Sequence, residues 1–208
     1  RIVIGVCIAA GAAYLQPATF NYIVTPMLVD LDVESHSDVL REVPSIATLL
    51  AIFLAAAAAS RLGERRAVSG GAILVLVGSV LVAAAPTLVV VVLGLVVQSV
   101  GATVLVVVPL GVIGAAVSRH GPRATAFAVF SMVSPLAFVV LPVLTSALML
   151  KLSWRVVAVI WVLGAVAALI AGRRVLAPAR PEDRVRSELL TPTLAGGVCV
   201  GVGQAFSH

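Results

Sequence analysis

Ser60-Arg61-Leu62-Gly63-Glu64-Arg65-Arg66 is a short charged segment set between two long apolar ones. Residues 46–59 before it carry no charge, and residues 67–117 after it contain no Asp, Glu, Lys or Arg. A helix needs about 20 apolar residues to cross a bilayer. A glycine among the charges permits a sharp reversal of the chain. The segment therefore reads as a tight basic turn joining two membrane-length helices. Its arginines also decide on which side of the membrane it lies.

The rest of the composition agrees. The chain is 61% hydrophobic and 11% charged, with a mean hydropathy of +1.17, whereas soluble domains carry about 25% charged residues. The apolar runs are continuous rather than alternating, which selects helices over a barrel as the way to satisfy the backbone in lipid. The fold class is an all-α polytopic membrane protein. A net charge of +5 suggests nucleic acid in a soluble protein. Here basic and aromatic residues do not interleave, so no nucleic-acid partner is expected. The arginine excess is what the cytoplasmic loops of a bacterial-type membrane protein carry.

Catalytic and metal chemistry find no footing. Cys7 and Cys199 both lie in apolar segments, and His36, His120 and His208 show no ligand spacing. No Ser-His-Asp arrangement and no glycine-rich phosphate loop occurs. No cofactor, metal or enzymatic activity is expected.

The pattern predicts spans at 2–28, 39–60, 67–85, 88–117, 124–150 and 154–172, with a seventh beginning near 192. The first is too long for a signal peptide and reads as a retained helix. Residues 1–172 form a six-helix bundle, 173–190 a cytoplasmic Arg/Pro-rich linker, and 191–208 the start of helix seven, as though cut from a larger architecture. One side of the membrane receives Arg1, Arg61, Arg65, Arg66, Arg119, Arg123, Arg173, Arg174, Arg180, Arg184 and Arg186. The other receives only Arg41, Lys151 and Arg155. The amino terminus and the Arg-rich loops are thus expected in the cytoplasm, with the protein in the plasma (inner) membrane. The acidic residues Asp30, Asp32, Glu34, Asp38 and Glu42 fall outside.

Helices four and five exceed a ~30 Å hydrocarbon core, so they must tilt, bend or project. Pro109, Pro135 and Pro142 are places for a bend, as are Pro17 and Pro26 in helix one. Membrane helices tolerate proline routinely, and simple kinks are the plainer reading. Polar groups at membrane depth are costly without partners. Tyr14, Gln16, Asn21, Tyr22 and Gln98 should therefore face the bundle interior, either in interhelical hydrogen bonds or in contact with a ligand. Arg41 and Glu42 mark the outer end of helix two, as a hydrated rim or as the mouth of a vestibule.

The segment from Ala55 to Arg66 resembles the helix 2–3 loop motif of the major facilitator superfamily. That motif runs glycine, spaced positions, Asp-Arg, any residue, Gly, then two basic residues. Arg61, Gly63, Arg65 and Arg66 match in register; Ser60 stands where the family has Asp, and Ala56 where it has the leading glycine. Ser153-Trp154-Arg155 is similar to the Gly/Ser-Trp-Arg of drug-efflux members. Gln98-Ser99-Val100-Gly101-Ala102 resembles a Gln-Gly-x-Gly-Ala stretch in helix four, with Leu95 where an arginine is common. Ser134-Pro135 is similar to a Gly-Pro in helix five.

The resemblance implies two inverted three-helix repeats, a matching second half, and a path for small molecules between the halves. It implies secondary active or facilitated transport by alternating access, with hydrophobic or amphipathic cargo and export as the expected direction. Ser60, Arg61, Gly63, Arg65 and Arg66 would form a conformational loop in which arginines meet helix C-terminal carbonyls. Two alternatives remain open: a non-transporting scaffold or assembly subunit packed through small residues such as Ala55–Ala59 and Gly197/Gly201, or a homodimerising half-transporter.

Overall fold

Gly63 is the single residue that separates the two helices flanking the charged segment. In a computed structural model, which describes the backbone of residues 2–33, 37–116, 122–150 and 152–175, the chain forms six helices. These are α1 (Ile2–Asp30), α2 (Ser37–Leu62), α3 (Glu64–Ala83), α4 (Leu88–Ala116), α5 (Pro122–Met149) and α6 (Trp154–Val175). By length and composition five of them are long and apolar enough to cross a membrane: Asp38–Leu62, Glu64–Ala83, Leu88–Gly111, Phe127–Met149 and Trp154–Arg173. No strand occurs among the described residues. The expected linker beyond Val175 and the seventh helix lie outside the described residues.

The charged segment is more helical than a hairpin. Arg61 lies in the last turn of α2, and Glu64 opens α3. Gly63 adopts φ 80° and ψ 154°, a conformation open essentially to glycine alone. Its N–H bonds to the Ala59 carbonyl at 3.1 Å and its carbonyl accepts the Ala67 N–H at 3.0 Å. One residue thus closes one helix and starts the next.

The end of α1 also extends beyond expectation, from 28 to Asp30. Asp32, at φ 55°, supports a Schellman closure in which Val33 N–H reaches Leu28 O at 3.1 Å and Asp32 N–H reaches Val29 O at 3.2 Å. This pairs carbonyls that the helix would otherwise leave open. α5 begins at Pro122, where a missing N–H costs nothing. The internal prolines, including Pro17, Pro109, Pro135 and Pro142, lie within unbroken helices.

Helix adjacency reveals the architecture. α1 packs on α5 and α6, and α4 packs correspondingly on α2 and α3. α1 also meets α4, and α3 meets α6. Exchanging α1, α2, α3 for α4, α5, α6 maps these neighbours onto one another. Successive helices alternate in direction, so α1 and α4 run oppositely and the two three-helix units are inverted repeats. α2 and α5 lie outermost and expose Leu50, Phe53 and Leu54, and Leu136, Val139 and Val143, respectively.

The most extensive contact is α3 on α4, and glycine makes it possible. A Cβ on Gly78 would sit 2.5 Å from the Gly94 carbonyl oxygen, and one on Gly101 would sit 2.6 Å from the Gly71 carbonyl oxygen. Gly71/Gly78 and Gly94/Gly101 recur at seven-residue spacing on the two helices, the signature of close backbone approach in lipid.

The buried cores at the two ends differ. At the end holding the α1 C-terminus the core is built of large residues: Ile23, Met27, Leu40, Leu95, Trp154 and Trp161. At the arginine-rich end it is largely alanine and valine, among them Ala9, Ala13, Ala55, Ala72, Ala165 and Ala168.

Polar contacts tie α1 to α6 at two depths. Buried Trp161 donates Nε1–H to Thr19 Oγ1 at 2.9 Å, and Thr19 donates its hydroxyl to Leu15 O at 2.6 Å. At the α1 C-terminus Asp30 accepts from Trp154 Nε1 at 3.1 Å and pairs with Arg155 at 3.3 Å, while the Arg155 guanidinium lies 4.9 Å from the Trp154 ring centroid. Asp30 and Arg155 are each about half exposed, so their charge pairing is worth little next to the burial of Trp154.

The glycine seam gives a direct test. Gly78→Val should destabilise the protein by about 1–3 kcal/mol through overpacking, read as a lower thermal midpoint in detergent. Gly70→Ala, where a Cβ meets nothing within 4 Å, should leave the midpoint unchanged or raise it. Equal behaviour of the two variants would refute the seam.

Candidate functional site

A cavity of about 280 Å³ opens between α1, α2 and α4. α1 contributes Gln16, Pro17, Phe20 and Asn21, all within two adjoining helical rows. α2 contributes Arg41, Pro44, Ser45 and Thr48, which follow i, i+3, i+4, i+7 spacing and so form one face. Leu40 and Ser99 complete the wall. The lining joins apolar surface from Phe20, Leu40 and the prolines to amides, hydroxyls and one guanidinium.

Hydrogen bonding along α2 gives that wall its character. Ser45 donates its hydroxyl to Arg41 O at 2.8 Å, and Thr48 donates to Pro44 O at 2.9 Å. Both hydroxyl protons point back at the helix, and their oxygens keep lone pairs for an incoming donor. Pro44 supplies no N–H for the Leu40 carbonyl one turn earlier. Ser45 and Thr48 thus present acceptors on α2, Arg41 on the same face presents donors, and the Gln16 and Asn21 amides carry both.

Of the residues expected at a cavity, Gln16, Asn21 and Arg41 meet here, with Pro17 beside them. Tyr14 faces α5 instead, its ring meeting Phe138 edge-on at 6.2 Å. Tyr22 and Glu42 are exposed and outside the lining. Gln98 is buried in the glycine seam, where its backbone nitrogen would sit 2.6 Å from a Cβ on Gly78, and its Oε1 has no hydrogen-bond partner. Its neighbour Ser99 takes the cavity position. Ser45 and Thr48 escaped the sequence reading, although their spacing from Arg41 at helical period was a usable signal.

At the opposite end of the bundle, the charged segment engages α6. Arg65 donates from its guanidinium to the Arg173 carbonyl at 2.8 Å, within the final turn of α6, where helix carbonyls lack partners. Ser60 gives its hydroxyl to Ala57 O at 3.0 Å and is spent on its own helix. Arg61 and Arg66 are exposed. Leu95 is fully buried among large apolar side chains, a position with no room for a solvated charge. No three His, Cys, Asp or Glu side chains gather into a metal-binding group among the described residues.

A profile described as Major Facilitator Superfamily matches residues 2–206. Among solved structures, a peptide transporter POT in complex with sulfate superposes with TM-score 0.75 at 15% identity, covering 99% of this chain and 46% of that one. A mutant of a peptide transporter POT, also with sulfate, gives TM-score 0.74 at 15% identity, covering 98% of this chain and 45% of that one. At such identity the likeness shows the fold, and this chain spans less than half the length of either match. None of the curated protein sequences matches. With the profile covering nearly all of it and six helices in inverted repeats, the chain belongs to the Major Facilitator Superfamily, a family of multi-pass membrane transport proteins and not of enzymes.

Proposed function

We propose that the chain is one six-helix half of an alternating-access transporter that exports small amphipathic molecules across the plasma membrane. The observation that carries this reading is the cavity between α1, α2 and α4, whose wall is half apolar and half hydrogen-bonding. Such a wall suits a molecule with one greasy and one polar side. Residues 1–172 act as the bundle, 173–190 as the cytoplasmic linker, and 191–208 as the start of helix seven in a second half of the same parent chain. The exposed apolar faces of α2 and α5 and the fraction of the solved transporters covered support that partner. The resemblance of Ser153-Trp154-Arg155 to drug-efflux members supports the outward direction.

In this reading, the cavity opens at the end opposite Arg65 and Arg173, and rocking of the two halves exposes it to each side in turn. The Arg65 contact to α6 ties α3 and α6 together at the cytoplasmic end. Arg41 is the one charged residue in the described lining, where no carboxylate joins it.

Reconstitution tests the transport reading. The full-length parent protein in proteoliposomes should show saturable counterflow of small amphipaths from a panel with anionic, neutral and cationic members. Flux down a substrate gradient should persist without an imposed pH gradient. Flux at the level of bare lipid for every member would favour the scaffold alternative.

Arg65→Ala should slow that flux severalfold while membrane insertion and yield stay normal, and Gly63→Val should cost about 1–3 kcal/mol of stability by forcing a side chain into a glycine-only conformation. Unchanged flux in the Arg65 variant would remove the contact from the transport cycle.

Orientation is read by impermeant thiol labelling after Cys7 and Cys199 are replaced. Ser60→Cys should label only from the cytoplasm and Ser153→Cys only from outside; the reverse pattern would overturn the arginine assignment.

A further inference from the structure

The cavity wall sets a guanidinium on the same helix face as two hydroxyl acceptors, and that pairing narrows the cargo. Arg41 places a guanidinium at the outer mouth. Asn21 and Gln16 on the facing helix carry amides, each with N–H donors and one carbonyl acceptor. One turn further along α2 the polarity reverses. Ser45 and Thr48 have turned their hydroxyl protons to the carbonyls of Arg41 and Pro44, so their oxygens act as acceptors. Neighbours at i and i+4 lie about 5–6 Å apart at Cβ, within one small molecule's length. Phe20 and Leu40 add apolar surface to the same space.

We infer that the cavity takes small organic anions that carry an N–H or O–H donor beside the carboxylate and an apolar body. The carboxylate is held by Arg41 with help from Asn21. The donor is received by the Ser45 and Thr48 oxygens, and the apolar part rests on Phe20. This assignment rests on the transport reading above and names its substrate class. A lone cation would meet the Arg41 charge and gain no carboxylate partner from the described lining. A neutral amphipath would fill the same volume but leave the guanidinium unmatched.

A matched probe set separates these possibilities. Mandelate has the anion, the hydroxyl donor and a phenyl ring; its O-methyl ether lacks the donor, and mandelamide lacks the charge. Binding is measured by calorimetry on the full-length parent protein in nanodiscs. Mandelate should bind about tenfold or more tightly than mandelamide, as expected for a charge-assisted contact. Arg41→Gln should lower mandelate affinity to that of mandelamide while leaving mandelamide binding unchanged. Because Arg41 is exposed, unchanged mandelamide binding also reports an intact cavity. Ser45→Ala combined with Thr48→Val should bring mandelate down to the level of its ether and leave the ether unaffected.

Equal affinity for mandelate and mandelamide, equal weakening of both by Arg41→Gln, or no binding of any probe at millimolar concentration would each overturn the assignment. If no mandelate probe binds while neutral or cationic amphipaths show saturable flux, the anion assignment falls and the transport reading stands. Absence of saturable flux for the whole panel removes the transport reading itself.

Discussion

The backbones of α3 and α4 touch, and the rest of the bundle depends on that contact. In lipid there is little hydrophobic force to press helices together, so their association relies on close packing and polar contacts. Gly71 and Gly78 on one helix and Gly94 and Gly101 on the other remove every Cβ from the line of approach. α3 belongs to the first three-helix unit and α4 to the second, so the seam is a joint between repeats. The same joint buries Gln98 and turns Ser99 toward the cavity. A fixed α4 in turn sets where α2 lies, because α2 packs mainly against it.

The two ends of the bundle use different side chains to reach different results. Alanines at the arginine-rich end let α1, α2, α3 and α6 approach closely. Tryptophans, Ile23, Met27 and Leu40 fill the core at the other end. The cavity opens on the side of the large-residue core, between α1, α2 and α4. Ser45 and Thr48 are tolerated there because each satisfies its hydroxyl proton on a carbonyl of its own helix. The two α1–α6 ties, Thr19 to Trp161 and Asp30 to Trp154 and Arg155, fix the helix that carries Gln16 and Asn21.

Much of the fold was legible without coordinates. Continuous apolar runs gave the spans, with ends differing by a few residues where capping intervened. Asp32 extended α1 by accepting a positive φ, and the charged segment shrank to one non-helical residue because Gly63 alone makes the turn. The motif positions of Gly63 and Arg65 anticipated both the turn and the contact with a helix C-terminus. The site was only partly legible. Gln16, Asn21 and Arg41 were named and converge, whereas Tyr14 and Gln98 satisfy the same polarity criterion yet pack against α5 and α3. Residue type states that a polar group must avoid lipid; it does not state which neighbour will receive it.

The amino-acid sequence by itself determined that the chain is helical and membrane-embedded, since both follow from the cost of exposing charge and backbone to lipid. It also placed the one reversal that only glycine permits. The tertiary structure decided which helices are neighbours, and with that which of several similar polar residues share a space. Rotation of each helix about its axis depends on packing against all its neighbours at once. The glycine seam, the large-residue core and the α1–α6 ties set those rotations together. They turned Arg41, Ser45 and Thr48 toward Gln16 and Asn21 and folded Gln98 away.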